Sequence, residues 1–287
     1  MGSACSAVAA RGVARLVHGV PASDGAGLRL TRVIGTSQLD QLDPFLLLDE
    51  IRSDRPGHYI AGVPSHPHRG FEALTYMLAG RLRHGDNHGN QGLLEGGGAQ
   101  WLTAGRGLVR FEKPEPSEGL MWGFRLWINL PARDKMVAPR CLDIPPSAVP
   151  EIELANGVMA RVIAGQLEGV TGPASKIAAA PSFFDLRLAP GAHALVPVAA
   201  ADNAFLYVYQ GALVVQGEGR SQRVAERELA VLLPGEALAI GADVAGARAL
   251  LAVARPLAEP VARYGPFVMN TRDELMQAVS DFQAGRF

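Results

Sequence analysis

Two histidines two residues apart, in Ser65-His66-Pro67-His68-Arg69-Gly70-Phe71-Glu72, are the residues of this chain best placed to do chemistry. On an extended strand, residues two apart face the same side, so His66 and His68 aim both imidazoles in one direction. Pro67 has no N–H to give to a ladder, which predicts that the pair lies on an edge strand or at a strand start. Taken alone, His-Pro-His reads as a turn with exposed histidines. A second segment, Gly105-Arg106-Gly107-Leu108-Val109-Arg110-Phe111-Glu112, places residues 108, 110 and 112 on one face of a strand. Laid beside the first, it brings Glu112 near the histidines. Two imidazoles and one carboxylate form a facial set that suits Fe(II) and would also accept other divalent metals.

Short strands must position these groups. Leu28 to Ile34 alternates, Phe45 to Leu48 is a continuous apolar run, and Ala73 to Leu78 reads as a strand. In Leu120 to Leu130, the residues Leu120, Trp122, Phe124, Leu126, Ile128 and Leu130 share one face, and Met121, Arg125, Trp127 and Asn129 the other. Residues 132 to about 150, rich in proline, read as a connection between domains. The second half repeats the style, with strands at Phe183 to Leu188, Ala192 to Val198, Ala204 to Tyr209, Ala212 to Val215, Leu229 to Leu233 and Ala249 to Ala254. Gly211, Gly217, Gly219 and Pro234-Gly235 read as turns. One helix is predicted near the end: Thr271 and Glu274 form a capping box, Leu275, Ala278, Val279 and Phe282 recur at helical spacing, and Gly285 stops it.

Composition narrows the function classes. The chain has 287 residues, room for two domains, with 33 glycines and 20 prolines spread without a period, as frequent turns require. Its 27 basic and 28 acidic residues carry no long run of one sign, so neither direct nucleic-acid binding nor membrane-surface binding is expected. No segment approaches the roughly 20 apolar residues of a membrane-spanning helix. Cys5 and Cys141 make no disulfide framework, which points to a reducing, cytoplasmic setting. Met1 to Ala10 lacks the basic leader of a secretory signal, and the myristoylation pattern of Met1-Gly2-Ser3-Ala4-Cys5-Ser6 reads as accidental. Gly96-Gly97-Gly98 lacks the lysine of a phosphate loop, and neither cysteine has a histidine close in sequence to make it a nucleophile.

The chain resembles the pirins, members of the cupin superfamily. The matching stretches are Asp43-Pro44-Phe45-Leu46-Leu47-Leu48-Asp49, His66 to Tyr76, Gln100-Trp101-Leu102-Thr103-Ala104-Gly105-Arg106-Gly107 and Leu126-Trp127-Ile128-Asn129-Leu130-Pro131. Glu259-Pro260 and Tyr264-Gly265-Pro266-Phe267-Val268-Met269-Asn270 match as well. The resemblance covers nearly the whole chain. It implies an all-β fold of two tandem cupin barrels with a C-terminal α-helix that returns to the N-terminal half. Residues 1–133 would form the barrel with the metal site, and 134–287 a second barrel plus the helix, with no metal ligands. It implies one metal, usually Fe(II), held by three histidines and a glutamate, of which His66, His68 and Glu112 match three. The third histidine belongs at position 110, where this chain has Arg110.

A guanidinium stays protonated and only donates, so it cannot ligate a cation. Three outcomes are open. Arg110 swings aside and leaves three ligands; Glu72, at the offset where general cupins use a glutamate, stands in; or the site is metal-free, with Arg110 paired to Glu112 or Glu72. His84 and His88 read as solvated or hydrogen-bonding histidines, His18, His58 and His193 have no ligand-like neighbours, and Phe71, Met77, Trp101 and Phe124 are candidate pocket residues.

The resemblance implies two functions. One is a metal-dependent dioxygenase of the quercetin 2,3-dioxygenase type, opening a flavonol-like substrate with O₂ and releasing CO, with Glu112 also taking the substrate's hydroxyl proton. The other is a regulatory pirin that binds a protein partner and has lost catalysis through Arg110. A third reading has Arg110 grip a small acid directly.

Overall fold

The alternating and apolar runs form antiparallel strands because each has at least one face to bury. The computed structural model describes residues 9–115, 119–174 and 178–287. Cys5 and the Met1-to-Ser6 pattern lie outside them. The chain is mostly strand, with a single α-helix among the described residues.

Two compact units emerge, and neither is continuous in sequence. Among the described residues, one comprises 19–115, 119–149, 178–179 and 257–287; the other comprises 9–18, 150–174 and 180–256. In this division each terminal segment joins the unit distant from it in sequence. The proline-rich stretch is also more than a connection. Arg140–Ile144 is a strand that pairs with Ala99–Thr103.

In the first unit a seven-stranded sheet runs, in spatial order, Arg140–Ile144, Ala99–Thr103, Phe71–Ala79, Met121–Asn129, Phe45–Ser53, Leu28–Ile34 and Val20–Asp24. A four-stranded sheet runs Val63–His68, Leu108–Pro114, Arg81–Asp86 and Gln91–Glu95. Thr75, Met77 and Met121 from the larger sheet line the same interior space as Val63, Leu82 and Glu112 from the smaller one, so the two sheets face each other. The strand Met121–Asn129 is buried on both faces. Its odd-numbered residues, the apparently more polar set, therefore point into the barrel rather than into water.

The helix Arg272–Gln283 belongs to this unit. Its capping box is present: Glu274 N–H donates to Thr271 Oγ1 and Thr271 N–H donates to Glu274 Oε2. Gly285, with φ of +68°, follows the helix end. Arg69, the residue after His68, donates to Asp281 at 2.7 Å and so ties the helix to the end of the histidine strand.

The second unit is a nine-stranded antiparallel assembly around an aliphatic core of Val, Leu, Ile and Ala with Phe184. Two strands predicted at Ala204 to Tyr209 and Ala212 to Val215 are one, Asn203–Gly217. Gly211 does not end it. The glycine has φ of +74° beside two register shifts, so it bends a continuous strand instead of reversing it.

Candidate functional site

The histidine strand Val63–His68 is the edge of its sheet and pairs with Leu108–Pro114, as Pro67 requires. The register sets His68 opposite Leu108 and His66 opposite Arg110. A shift between Arg110 and Glu112 then places Glu112 opposite Val63. On its other side Leu108–Pro114 pairs with Arg81–Asp86, with Glu112 opposite His84 and Arg110 opposite Asp86. His66, Arg110, Glu112 and His84 thus share the inner face of one sheet. The histidines and Glu112 occupy one region, but the rung facing His66 holds a guanidinium.

Glu112 is fully engaged. Arg110 Nη2 donates to Oε1 at 2.5 Å and Arg125 Nη2 donates to Oε2 at 2.6 Å. Arg110 also donates to Gln100 Oε1 at 2.7 Å, and Arg125 to Asp24 at 2.7 Å. Burial alone would raise the Glu112 carboxyl, but Arg110 and Arg125, with His66 and His84, bring it down to about 2. Burial would likewise lower the Arg125 guanidinium, yet Glu112, Asp24 and Asp49 hold it above its usual value. A carboxylate this acidic, with both oxygens accepting from guanidiniums, is a poor proton acceptor, which counts against the base role considered for Glu112.

The two histidines are held uncharged. Burial lowers His66, and burial together with His66, Arg110 and Arg125 lowers His68 well below its ordinary value. His66 Nδ1 lies 2.7 Å from Pro64 O. A carbonyl only accepts, so Nδ1 carries the proton and Nε2 keeps its lone pair. His68 Nδ1 is buried with no partner, its ring packed 4.9 Å from Phe71 and 5.4 Å from Trp127.

These residues do not fit the family's four-ligand metal set. Arg110 has not swung aside but pairs with Glu112, whose lone pairs it takes. Glu72 does not stand in. It neighbours Phe71, which packs against His68, so by strand alternation it points to the opposite face, where Thr103 Oγ1 donates to it at 2.7 Å. Trp101, opposite Leu74, and Phe124, opposite Tyr76, lie on that same outer face, whereas Met77 lines the apolar space beneath Glu112.

Beside the histidines a cavity of 560 Å³ opens between Leu47, Val63, Trp127 and three arginines, Arg32, Arg125 and Arg263. Arg32 is bidentate to Asp49 and Arg125 is paired as above. Arg263 donates to Leu46 O and sits 5.1 Å over Trp127, with no carboxylate partner among the described residues. The wall joins Trp127, Leu47 and Val63 to polar groups, and Arg263 feels Asp40 and Asp49 through space without forming an ion pair with either.

A further cluster escaped the sequence reading. Among the described residues, one set of three ligand-type side chains brings its ligand atoms within 4.8 Å of one another, and it is His84, Cys141 and Asp143. His84 is buried and bonds Asp143 Oδ2 at 3.0 Å, so its hydrogen-bonding role holds, but it also places a histidine beside Cys141. The two are 57 positions apart, and only the pairing of Arg140–Ile144 into the sheet brings them together. Arg125 was missed as well. Its signal was present: an arginine inside a strand that is apolar on both sides must find buried partners.

The family model described as Pirin matches residues 27–128, and that described as Pirin C-terminal cupin domain matches residues 183–287. A Pseudomonas aeruginosa protein provisionally named quercetin 2,3-dioxygenase is 47% identical over 281 residues, covering 96% of this chain and 97% of that protein. The crystal structure of a quercetin 2,3-dioxygenase from Acinetobacter baumannii superposes with a TM-score of 0.89 at 31% identity, covering 97% of this chain and 99% of that one. A bacterial pirin from Escherichia coli, solved with nickel(II), is alike in fold: its TM-score is 0.67 at 17% identity, covering 84% of this chain and 98% of that one.

Proposed function

The chain belongs to the pirin family of cupin proteins, and from that premise we propose that it recognises a small anionic molecule of the flavonol type in the cavity beside His66 and His68. One observation carries this reading: the cavity wall joins Trp127 and Leu47 to Arg263, a guanidinium without a carboxylate. A flavonolate is flat and apolar apart from its oxygens, and bears a negative charge. Trp127 and Leu47 would cover its rings while Arg263 meets the charge. His66 Nε2, uncharged and on the same wall, is the group able to accept the flavonol's hydroxyl proton.

The names of the relatives support a flavonol-like ligand, and the nickel(II) of the E. coli pirin supports a divalent metal in that protein. The guanidinium at position 110 and the doubly engaged Glu112 do not fit such a metal here. Recognition without metal-dependent ring opening is therefore the reading we favour. Arg110 equally favours a regulatory pirin, in which the fold presents a surface to a protein partner after catalysis is lost. A reducing, cytoplasmic setting belongs to both readings, with Cys141 as a free thiol.

Titration of quercetin into the protein, followed by the flavonol's own absorbance together with O₂ uptake, tests this. The expected result is saturable 1:1 binding, weakened about tenfold by Arg263→Ala, or about 1.4 kcal/mol, without O₂ uptake. Absence of binding would remove the small-molecule reading. Oxygen uptake after loading with Fe(II), Mn(II), Ni(II) or Cu(II) would instead restore the dioxygenase.

A further inference from the structure

The cluster on the far side of Glu112 from the histidine strand offers a different chemistry. His84 Nε2 lies 3.0 Å from Asp143 Oδ2, Cys141 Sγ lies 3.9 Å from Asp143 Oδ1, and all three ligand atoms fall within 4.8 Å of one another. Bonds of about 2.0–2.3 Å at tetrahedral angles separate the ligands of a zinc ion by roughly 3.3–3.7 Å. Closing separations of up to 4.8 Å to that range takes a relative movement of about 1 Å, within reach of side-chain rotation. Nitrogen, sulfur and oxygen together suit a borderline-soft cation, and three protein ligands leave a fourth position for water.

A glycine makes room for this cluster. Gly92, in strand Gln91–Glu95, pairs directly with His84 and has an ordinary strand backbone, so its conformation does not require glycine. Space does. A Cβ at position 92 would lie 2.2 Å from Asp143 Oδ2 and 2.4 Å from His84 Nε2, on the atoms that would bind the ion. Asp143 is exposed, which gives a cation a way in from solvent, while His84 is buried and Cys141 half-buried. Gln100 Nε2 donates to Asp143 Oδ1 at 2.9 Å and holds that carboxylate in place. Charges of both signs reach the cluster: Asp143 and Asp86 act on Cys141, and so does Arg110, which is itself paired with Glu112.

We propose that His84, Cys141 and Asp143 form a second site, separate from the His66–His68 region, that binds one Zn(II)-class cation. On binding, the S–H bond of Cys141 breaks and an S–metal bond forms, with the proton released to solvent. His84 presents its Nε2 lone pair, its proton moving to Nδ1. Burial pushes the free Cys141 thiol up to about 12, so the thiolate forms with the metal and not before it. Because Gln100 bridges Asp143 to Arg110, an ion held here also bears on the partner of Glu112.

The test is titration of the reduced, metal-stripped full chain with Co(II), then displacement by Zn(II). The expected result is one equivalent of Co(II) with tetrahedral d–d bands and a thiolate-to-cobalt charge-transfer band. Cys141→Ser should abolish the charge-transfer band and weaken binding by more than the roughly 100-fold that loss of a supporting residue costs a metal site. His84→Ala should lower affinity similarly. Cys5→Ser and the double variant His66→Ala/His68→Ala should keep the band. A wild-type titration without a thiolate band overturns the proposal whatever the variants do, and so does a band that survives Cys141→Ser. Tetrahedral d–d bands that appear without a thiolate band and vanish in His66→Ala/His68→Ala would assign the ion to the other cluster.

Discussion

Replacing Glu112 by Gln removes one negative charge from between two buried guanidiniums while keeping the side chain's shape. Two routes give the magnitude. The carboxyl falls from its ordinary 4.5 to about 2 in the folded protein. At about 1.36 kcal/mol per pKa unit, that gap corresponds to about 3 kcal/mol of stability at neutral pH. Breaking a buried ion pair by removing one partner independently costs about 3–5 kcal/mol, because the remaining charges stay buried without compensation. The sign follows from the depressed value: the contribution is complete above about pH 4.5 and is lost as pH falls towards 2. Urea denaturation followed by tryptophan fluorescence is the assay. Trp101, Trp122 and Trp127 are the chain's three tryptophans and all lie in the unit that holds Glu112. Urea is preferred to guanidinium chloride because an ionic denaturant screens the pairs in question. Glu112→Gln should lose about 3 kcal/mol at pH 7 and approach wild type near pH 2–3. A loss under about 1 kcal/mol, or one independent of pH, would show that Glu112 is not the charge balancing Arg110 and Arg125.

Glu72 carries the opposite pH dependence. Burial raises its carboxyl to about 7 against the Thr103 hydroxyl that lowers it, so stability is lost as pH rises from about 4.5 through 7. Glu72→Gln should therefore stabilise the same unit by up to about 3 kcal/mol at pH 8 and do little below pH 4.5; equal unfolding midpoints at pH 8 would contradict this. Arg110→His, made in a Cys141→Ser background to silence the second cluster, frees Glu112 Oε1 and supplies a nitrogen opposite His66. We expect it to bind Fe(II) or Ni(II) at least about tenfold more tightly than its parent in equilibrium dialysis, a gain of about 1.4 kcal/mol. Unchanged affinity would mean that Arg110 does not block the site.

Local chemistry carried much of this protein into view. Period-two spacing put His66 and His68 on one face, Pro67 placed them on an edge, and Thr271 with Glu274 marked where the helix begins; each is settled within a few residues of chain. The separated blocks from Asp43 to Asn270 were enough to indicate two cupin barrels. Alternation states which residues share a face, but not whether that face meets water. In Met121–Asn129 the face holding Arg125 turned out to be the barrel interior. Nor does alternation fix which rung a residue meets. The register shift after Arg110, set by how two strands hydrogen-bond across the sheet, decides that His66 faces a guanidinium and that Glu112 faces His84. The meeting of His84 with Cys141 and Asp143 depends on a strand from the presumed linker closing the sheet's edge. Strand pairing and sheet closure join residues far apart along the chain, so the partners of Glu112 and the second cluster existed only once the barrel was built.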